Sequence, residues 1–159
     1  MIERPRTPLP VLAAWVALIF GTSCTVVRPQ EFFEFLHRYV FTDASVYEKF
    51  QTLWGVAWFA VVKGWHVAEF AILTWFVVRV IRWKTGTVTR RSIAAAMLCC
   101  ALFAISDEWH QSFVPDRMGT ATDVLIDCLG ILAMGLALMR RCRPLSPGAD
   151  AALGEPRSP

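Results

Sequence analysis

The sequence has little charge and none of the short motifs that mark a metal-binding or redox protein. Charged residues make up 18% of the 159 residues. The basic ones flank apolar runs and form no patch with interleaved aromatics, so we expect no nucleic-acid partner. The five cysteines show no CxxC spacing and most fall in apolar runs, where cysteine behaves as a small hydrophobe. No HExxH motif is present, and the sequence therefore predicts no cofactor and no metal site.

Hydrophobic residues, by contrast, make up 55% of the chain, and seven residues are Trp. A soluble protein of this length rarely carries so much apolar surface, whereas a helix needs about 20 apolar residues to cross a bilayer. We predict an all-α, polytopic membrane protein with about four transmembrane helices in one domain of residues 1–143. The tail of residues 144–159 is rich in Pro, Gly and Ala, and we predict that it is disordered.

The first apolar run, residues 9–27, follows Arg4 and Arg6 and has two interpretations. Basic residues before an apolar core are typical of a signal peptide. Gly21, however, stands where a lipoprotein cleavage motif has a Leu-like residue, which favours a retained helix. Residues 28–52 then mix aromatic and charged residues, a composition typical of the membrane–water interface. We predict a short amphipathic surface helix there.

The remaining apolar sequence predicts three further spans. Residues 53–83 are too many for one perpendicular span, and polar residues that begin at Lys63 divide them. Residues 53–61 are therefore predicted to lie at the membrane surface or the mouth of a site. The further spans have the approximate ranges 63–83, 92–106 with the helix continuing to 111, and 122–139.

Basic residues predict which way the spans face. They cluster before the first span, between the second and third, and after the last: Arg4 and Arg6, the basic residues of 79–91, and Arg140, Arg141 and Arg143. Cytoplasmic loops carry an excess of Lys and Arg, so both termini are predicted to be cytoplasmic. The stretch 106–130, between the last two spans, then lies on the outer side together with residues 28–52.

Polar residues converge at that outer side. Residues three or four apart share a helix face, as Lys63 does with His66 and Asp123 does with Asp127. Ionisable groups at a membrane span are costly and usually serve function. The candidate binding residues are Lys63, His66, Glu69, Asp107, Glu108, Gln111, Arg117, Asp123 and Asp127.

Each candidate also has a simpler interpretation. Lys63 could extend to the headgroups, and His66 with Glu69 could be a hydrogen-bonded pair that ties helices together. Asp123 could be a carboxylate at a helix start, stabilised by the helix dipole. Asp127 lies one turn deeper, where an unpaired carboxylate costs about 2.5–3.5 kcal/mol. It therefore needs a partner such as Lys63, His66 or Arg117.

Catalytic and metal chemistry leave weaker signals. His66, Asp107 and His110 are the candidates for acid–base catalysis. Side chains of the types that bind zinc are His66, Glu69, Asp107, His110 and Asp123, but their spacing matches no metal motif. Ser106 and Ser112 lie near His110 in sequence, and nothing marks either as an activated nucleophile.

Two blocks of these residues resemble the signature of VanZ-like membrane proteins. The blocks are Lys63-x-x-His66-x-x-x-Phe70, and Asp107-Glu108-x-x-Gln111-x-Phe113-x-Pro115-x-Arg117 followed by Asp123-x-x-x-Asp127-x-x-Gly130. The chain departs from the family pattern at Asp116, where Gly is usual, and at Asp127, where Asn is frequent. The resemblance implies a small multi-helix protein of the bacterial cytoplasmic membrane, in a family associated with low-level resistance to teicoplanin. The resistance phenotype is not carried over to this chain.

Three functions follow as hypotheses. The first is a site at the outer leaflet that binds or processes a cell-envelope component or lipid-linked precursor, whose phosphate or carboxylate Lys63, His66 and Arg117 would hold. The second is a membrane-embedded enzyme that uses a histidine as acid or base on a lipid-linked group. The third is a polar network that locks the helices or docks a partner protein. The lipid bilayer is a partner in all three.

Overall fold

The computed structural model describes residues 7–25, 29–40 and 43–142, and these residues confirm the predicted all-α class. The helices are α1 (Leu9–Ser23), α2 (Pro29–Tyr39), α3 (Ala44–Thr85), α4 (Arg90–Gln111) and α5 (Ala121–Arg141). Arg4, Arg6, Arg143 and the tail of residues 144–159 lie outside the described residues, so the prediction for the tail is not tested.

Three of these helices, α3, α4 and α5, are long and apolar enough to cross a membrane. Helix α1 is apolar but has 15 residues, a length of about 22 Å at 1.5 Å per residue, which is less than the hydrocarbon thickness of about 30 Å. The predicted set of about four spans is therefore present as three helices of spanning length and one shorter apolar helix.

Helix α3 corrects one predicted boundary, because residues 44–52 are its first turns and not part of the separate helix predicted within residues 28–52. It runs unbroken for 42 residues, about 63 Å at 1.5 Å per residue, which is about twice the hydrocarbon thickness. That residues 53–61 lie at the membrane surface or the mouth of a site therefore stays a prediction. The start of α3 is fixed by Asp43, whose carboxylate accepts a hydrogen bond from the Ser45 backbone N–H at 2.8 Å. Lys63 and His66 lie on one face of this helix, so the polar residues mark a face and do not interrupt it.

Helix α2 is the amphipathic helix predicted after the first apolar run. Phe33 is buried, whereas Phe35 and Tyr39 are exposed. The Phe33 ring contacts the ring of Phe50 on α3 edge-on, with centroids 6.2 Å apart. Aromatic contacts thus join α2 to the first turns of α3.

Close backbone contact between α3 and α5 sets the position of the polar residues. A Cβ atom at Gly130 would lie 2.1 Å from the Val67 carbonyl oxygen, so only glycine permits this helix separation. Gly130 is one turn from Asp127, and Val67 follows His66. The contact therefore holds Asp127 beside His66. The buried core next to it consists of Ile19, Phe70, Leu73, Cys100, Ala104 and Ile131.

Replacing Gly130 by alanine is expected to lower stability, because the added methyl group must push α5 away from the α3 backbone. Overpacking of this kind costs about 1–3 kcal/mol. Thermal unfolding in detergent, followed by circular dichroism, measures the effect. Gly55→Ala is the matched control: Gly55 is also helical, and its added Cβ meets nothing within 4 Å. Equal melting temperatures for the two variants would contradict the close contact.

Candidate functional site

The polar residues lie at one end of α4 and α5, and the basic residues lie at the other. Asp107 is about 24 Å along α4 from Arg91, and Asp123 is about 26 Å along α5 from Arg140, at 1.5 Å per residue. On α3, Lys63 is likewise about 32 Å from Lys84 at the same rise. These distances along the three helices agree with a predicted convergence of polar residues at one level of the bundle, namely Lys63, Asp107 and Asp123.

Helices α3 and α5 form two polar pairs. Lys63 donates to a carboxylate oxygen of Asp123, and the side chains are 25% and 15% exposed. One turn deeper, His66 Nδ1 lies 3.1 Å from Asp127 Oδ1. Asp127 is fully buried. The deep carboxylate therefore has His66 as its partner, one of the three predicted from the sequence.

Asp107 and Glu108 on α4 are buried, so neither is a solvated charge at a helix end. The Ser23 hydroxyl lies 2.8 Å from both Asp107 carboxylate oxygens, and Gln111 Nε2 donates to Asp107 Oδ2 at 2.8 Å. Glu108 Oε2 accepts a hydrogen bond from the Thr120 backbone N–H at 2.9 Å. These contacts join the end of α4 to α1 and to the start of α5.

Arg117 ties the α4–α5 connection to the end of α1. Its Nη1 donates to Gln111 Oε1 at 2.6 Å, and its Nη2 donates to the carbonyl oxygens of Thr22 and Thr25 at 2.9 and 2.8 Å. Its neighbour Asp116 has a φ of 62°. That left-handed conformation suits glycine best, and Asp adopts it more readily than most other residues do. Asp116 can therefore occupy a turn at which VanZ-like proteins usually have Gly.

Thr22 and Ser23 belong to the site but were not predicted from the sequence. Thr22 donates to Glu69 Oε1 at 3.0 Å, and Ser23 binds Asp107 as described above. Both hydroxyl groups lie at the end of an apolar helix. Their position on that helix was the feature of the sequence that could have predicted a polar contact. Hydroxyl groups on such helices often hydrogen-bond across to a neighbouring helix.

A cavity of about 940 Å³ opens beside these residues, between α1, α3 and the α4–α5 connection. Its apolar wall includes Leu18, Trp58, Val61 and Met118. The candidate polar residues that line it are Lys63, His66, Glu69, Gln111, Arg117 and Asp123.

The remaining candidates are not among the residues that line the cavity. Asp107, Glu108 and Asp127 are buried and contact the lining residues from within the bundle. His110 is not brought into the site: its ring lies 4.7 Å from that of Phe20, and within the described residues its Nδ1 has no hydrogen-bond partner. The structure therefore places His110 against Phe20 and not among the residues that line the cavity.

Three side chains are close enough together to hold a metal ion. Each of these side chains, His66, Glu108 and Asp127, offers one ligand atom. The three atoms lie within 4.8 Å of one another. Of these residues, only His66 belonged to the set of metal-ligand types identified from the sequence. Glu108 and Asp127 join it because α4 and α5 both pack against α3.

Comparison with known proteins assigns the chain to a family. A family model described as VanZ/LLP1 matches residues 9–143, which includes both motif blocks and all five helices. No curated protein and no solved structure matches the chain.

Proposed function

The chain belongs to the VanZ/LLP1 family of membrane proteins, and we propose that its cavity binds the anionic headgroup of a lipid-linked cell-envelope component at the outer leaflet. The observation that carries this proposal is the composition of the cavity wall. Lys63 and Arg117 line the same 940 Å³ space as Trp58, Val61 and Met118. Sites for amphiphilic ligands combine an apolar wall with a few placed polar groups.

The two cations keep donor capacity for a ligand. An ammonium group has three N–H donors and a guanidinium has five. Lys63 donates to Asp123, and Arg117 makes three described hydrogen bonds, to Gln111, Thr22 and Thr25. Both side chains are half-buried. Each can therefore donate to a phosphate or carboxylate oxygen while keeping those partners, and the partners hold it in place before binding.

The acidic residues at the cavity suit the uncharged part of such a ligand. Glu69 and Asp123 line the cavity, and a carboxylate accepts hydrogen bonds from sugar hydroxyl groups. The same carboxylates orient the cations, as Asp123 does for Lys63. A phosphate linked to a sugar and to an apolar chain matches the three kinds of surface in the cavity.

The membrane orientation is part of the proposal. The basic residues of 79–91 lie at the end of α3 and the start of α4, and Arg140 and Arg141 end α5. The cavity lies beside the middle of α3 and at the other ends of α4 and α5. Under the positive-inside rule the end with the basic residues faces the cytoplasm of a bacterium, both termini are cytoplasmic, and the cavity faces the outer leaflet of the cytoplasmic membrane.

The pairing of His66 with Asp127 supports acid–base catalysis as a second function. His66 lines the cavity, and its Nδ1 lies 3.1 Å from a buried carboxylate oxygen. A carboxylate in this position fixes the tautomer and orientation of a histidine that acts as acid or base. Conversion of a bound lipid-linked group by the purified protein, lost in His66→Gln, would favour this function over binding alone.

The orientation can be tested by thiol labelling of intact cells. Met118 is 83% exposed beside the cavity, and Thr87 is exposed in the loop between α3 and α4. With the exposed Cys24 and Cys99 replaced by alanine, we expect Met118→Cys to react with a membrane-impermeant thiol reagent added outside the cytoplasmic membrane. Thr87→Cys should react only after permeabilisation. The reverse pattern would place the cavity in the cytoplasm and contradict the proposal.

The ligand can be tested by native mass spectrometry of the detergent-purified protein with a polyprenyl phosphate and with the corresponding polyprenyl alcohol. We expect retention of the phosphate in preference to the alcohol. Because a hydrogen bond to a charged group contributes about 1.5–3 kcal/mol, Lys63→Gln should weaken phosphate binding about 10- to 100-fold.

Lys49→Gln is the matched control, since Lys49 is an exposed lysine on the same helix, and it should bind as the wild type does. A wild-type protein that retains the phosphate no better than the alcohol would contradict the proposal. That outcome would leave the polar network as a structural device that locks the helices.

A further inference from the structure

We propose that His66, Glu108 and Asp127 bind a divalent transition-metal ion of the Zn²⁺ type at the inner wall of the cavity. The three residues come from three helices, α3, α4 and α5, and their ligand atoms lie within 4.8 Å of one another. The inference is independent of the proposed lipid ligand, because it is carried by these three side chains alone.

The distances fit a tetrahedral metal centre. Zinc binds His nitrogen and carboxylate oxygen at about 2.0–2.2 Å, which puts neighbouring ligand atoms of a tetrahedron about 3.3 Å apart. His66 Nδ1 and Asp127 Oδ1 are already 3.1 Å apart. The three ligand atoms lie within 4.8 Å of one another, so they are at most about 1.5 Å farther apart than the ligands of a tetrahedral zinc site.

An unpartnered buried atom points to the same site. Asp127 is fully buried, and within the described residues its Oδ2 has no hydrogen-bond partner. A buried carboxylate oxygen without a partner is strongly destabilising. A cation that binds this carboxylate removes that cost, because it neutralises the carboxylate charge. The single hydrogen bond with His66 stabilises that charge only in part in the low-dielectric interior.

The charges around the three residues leave room for a divalent ion. Lys63 pairs with Asp123, and the described bonds of Arg117 go to Gln111 and to backbone carbonyls. Neither cation bonds to Glu108 or Asp127 in the described contacts, so within the three proposed ligands two carboxylates lie beside one histidine. A protonated His66 would balance only one of them, whereas a divalent ion bound by neutral His66 and both carboxylates gives a net charge of zero.

Hydrogen bonds orient the Glu108 carboxylate, as is usual for carboxylates that bind a metal. The Thr120 backbone N–H donates to its Oε2 at 2.9 Å, and Gln111 Nε2 donates to its Oε1 at 3.3 Å. Each carboxylate oxygen has a second lone pair for a metal. Such hydrogen bonds from outside the ligand set orient a ligand and are a general feature of metal sites.

The ligand types favour zinc and its neighbours over magnesium or calcium. Imidazole suits zinc and other first-row transition metals, whereas magnesium and calcium prefer sites made only of oxygen. Three protein ligands leave a fourth tetrahedral position open, as in catalytic zinc sites. His66 lines the cavity, so the open position is reached from the cavity side.

The test uses the full chain, purified in detergent without a polyhistidine tag, stripped with a chelator and titrated with Zn²⁺ against a chromogenic chelator. We expect one tightly bound zinc per chain. Asp127→Asn and Glu108→Gln should each lower the affinity at least about 10-fold, since even loss of a residue outside the ligand set costs about 10- to 100-fold. Glu48→Gln is the matched control: Glu48 is an exposed carboxylate on α3, the helix that carries His66, and its variant should keep wild-type affinity.

X-ray absorption of the zinc-loaded wild-type protein gives a readout that does not depend on how the variants fold. The spectrum should show one imidazole nitrogen and otherwise oxygen ligands. Sulfur ligands would assign the zinc to the free cysteines, which include the exposed Cys24 and Cys99, and would overturn the proposal. So would a wild-type protein that retains no zinc above the detergent blank, or Asp127→Asn and Glu108→Gln proteins that bind zinc as tightly as the wild type does.

Discussion

Asp127 is fully buried in helix α5, and the packing of α5 against α3 has to provide a partner for its carboxylate. A carboxylate within a membrane-spanning helix is tolerated when a partner offsets its desolvation. Here that partner is His66, 3.1 Å away on the neighbouring helix. The pair forms only because α3 and α5 approach so closely that a Cβ at Gly130 would collide with the Val67 carbonyl. Helix packing and polar chemistry are therefore set at one place in the fold.

The other polar contacts extend this arrangement outward. Ser23 reaches Asp107 from α1, and Glu108 holds the start of α5 through Thr120. Arg117 joins the connection between α4 and α5 to the end of α1. Each contact links two different elements, so the network both fixes the helices and leaves a cavity with cations on its wall. A binding site on rigid helices is positioned more accurately than one on a loop.

Sequence reasoning recovered the helical class, the family resemblance and the convergence of the polar residues, because hydropathy and helical spacing are local properties. It failed where three-dimensional contacts decide. One helix that begins at residue 44 and continues to residue 85 was not predicted; it has no Pro and a good N-cap at Asp43. The roles of Thr22 and Ser23, the exclusion of His110 and the approach of Glu108 to His66 all depend on which helices pack together. Spacing along one helix carries no such information.

Asp127 is stable in the bundle because His66 faces it, and a double-mutant cycle of the two residues measures this dependence. The unfolding free energies of His66→Leu, Asp127→Leu and the double variant would be measured in detergent against the wild type. Removing one member of a buried charged pair costs about 3–5 kcal/mol, so His66→Leu alone should be strongly destabilising, and adding Asp127→Leu should recover much of the loss. Strictly additive effects of the two substitutions would contradict the account.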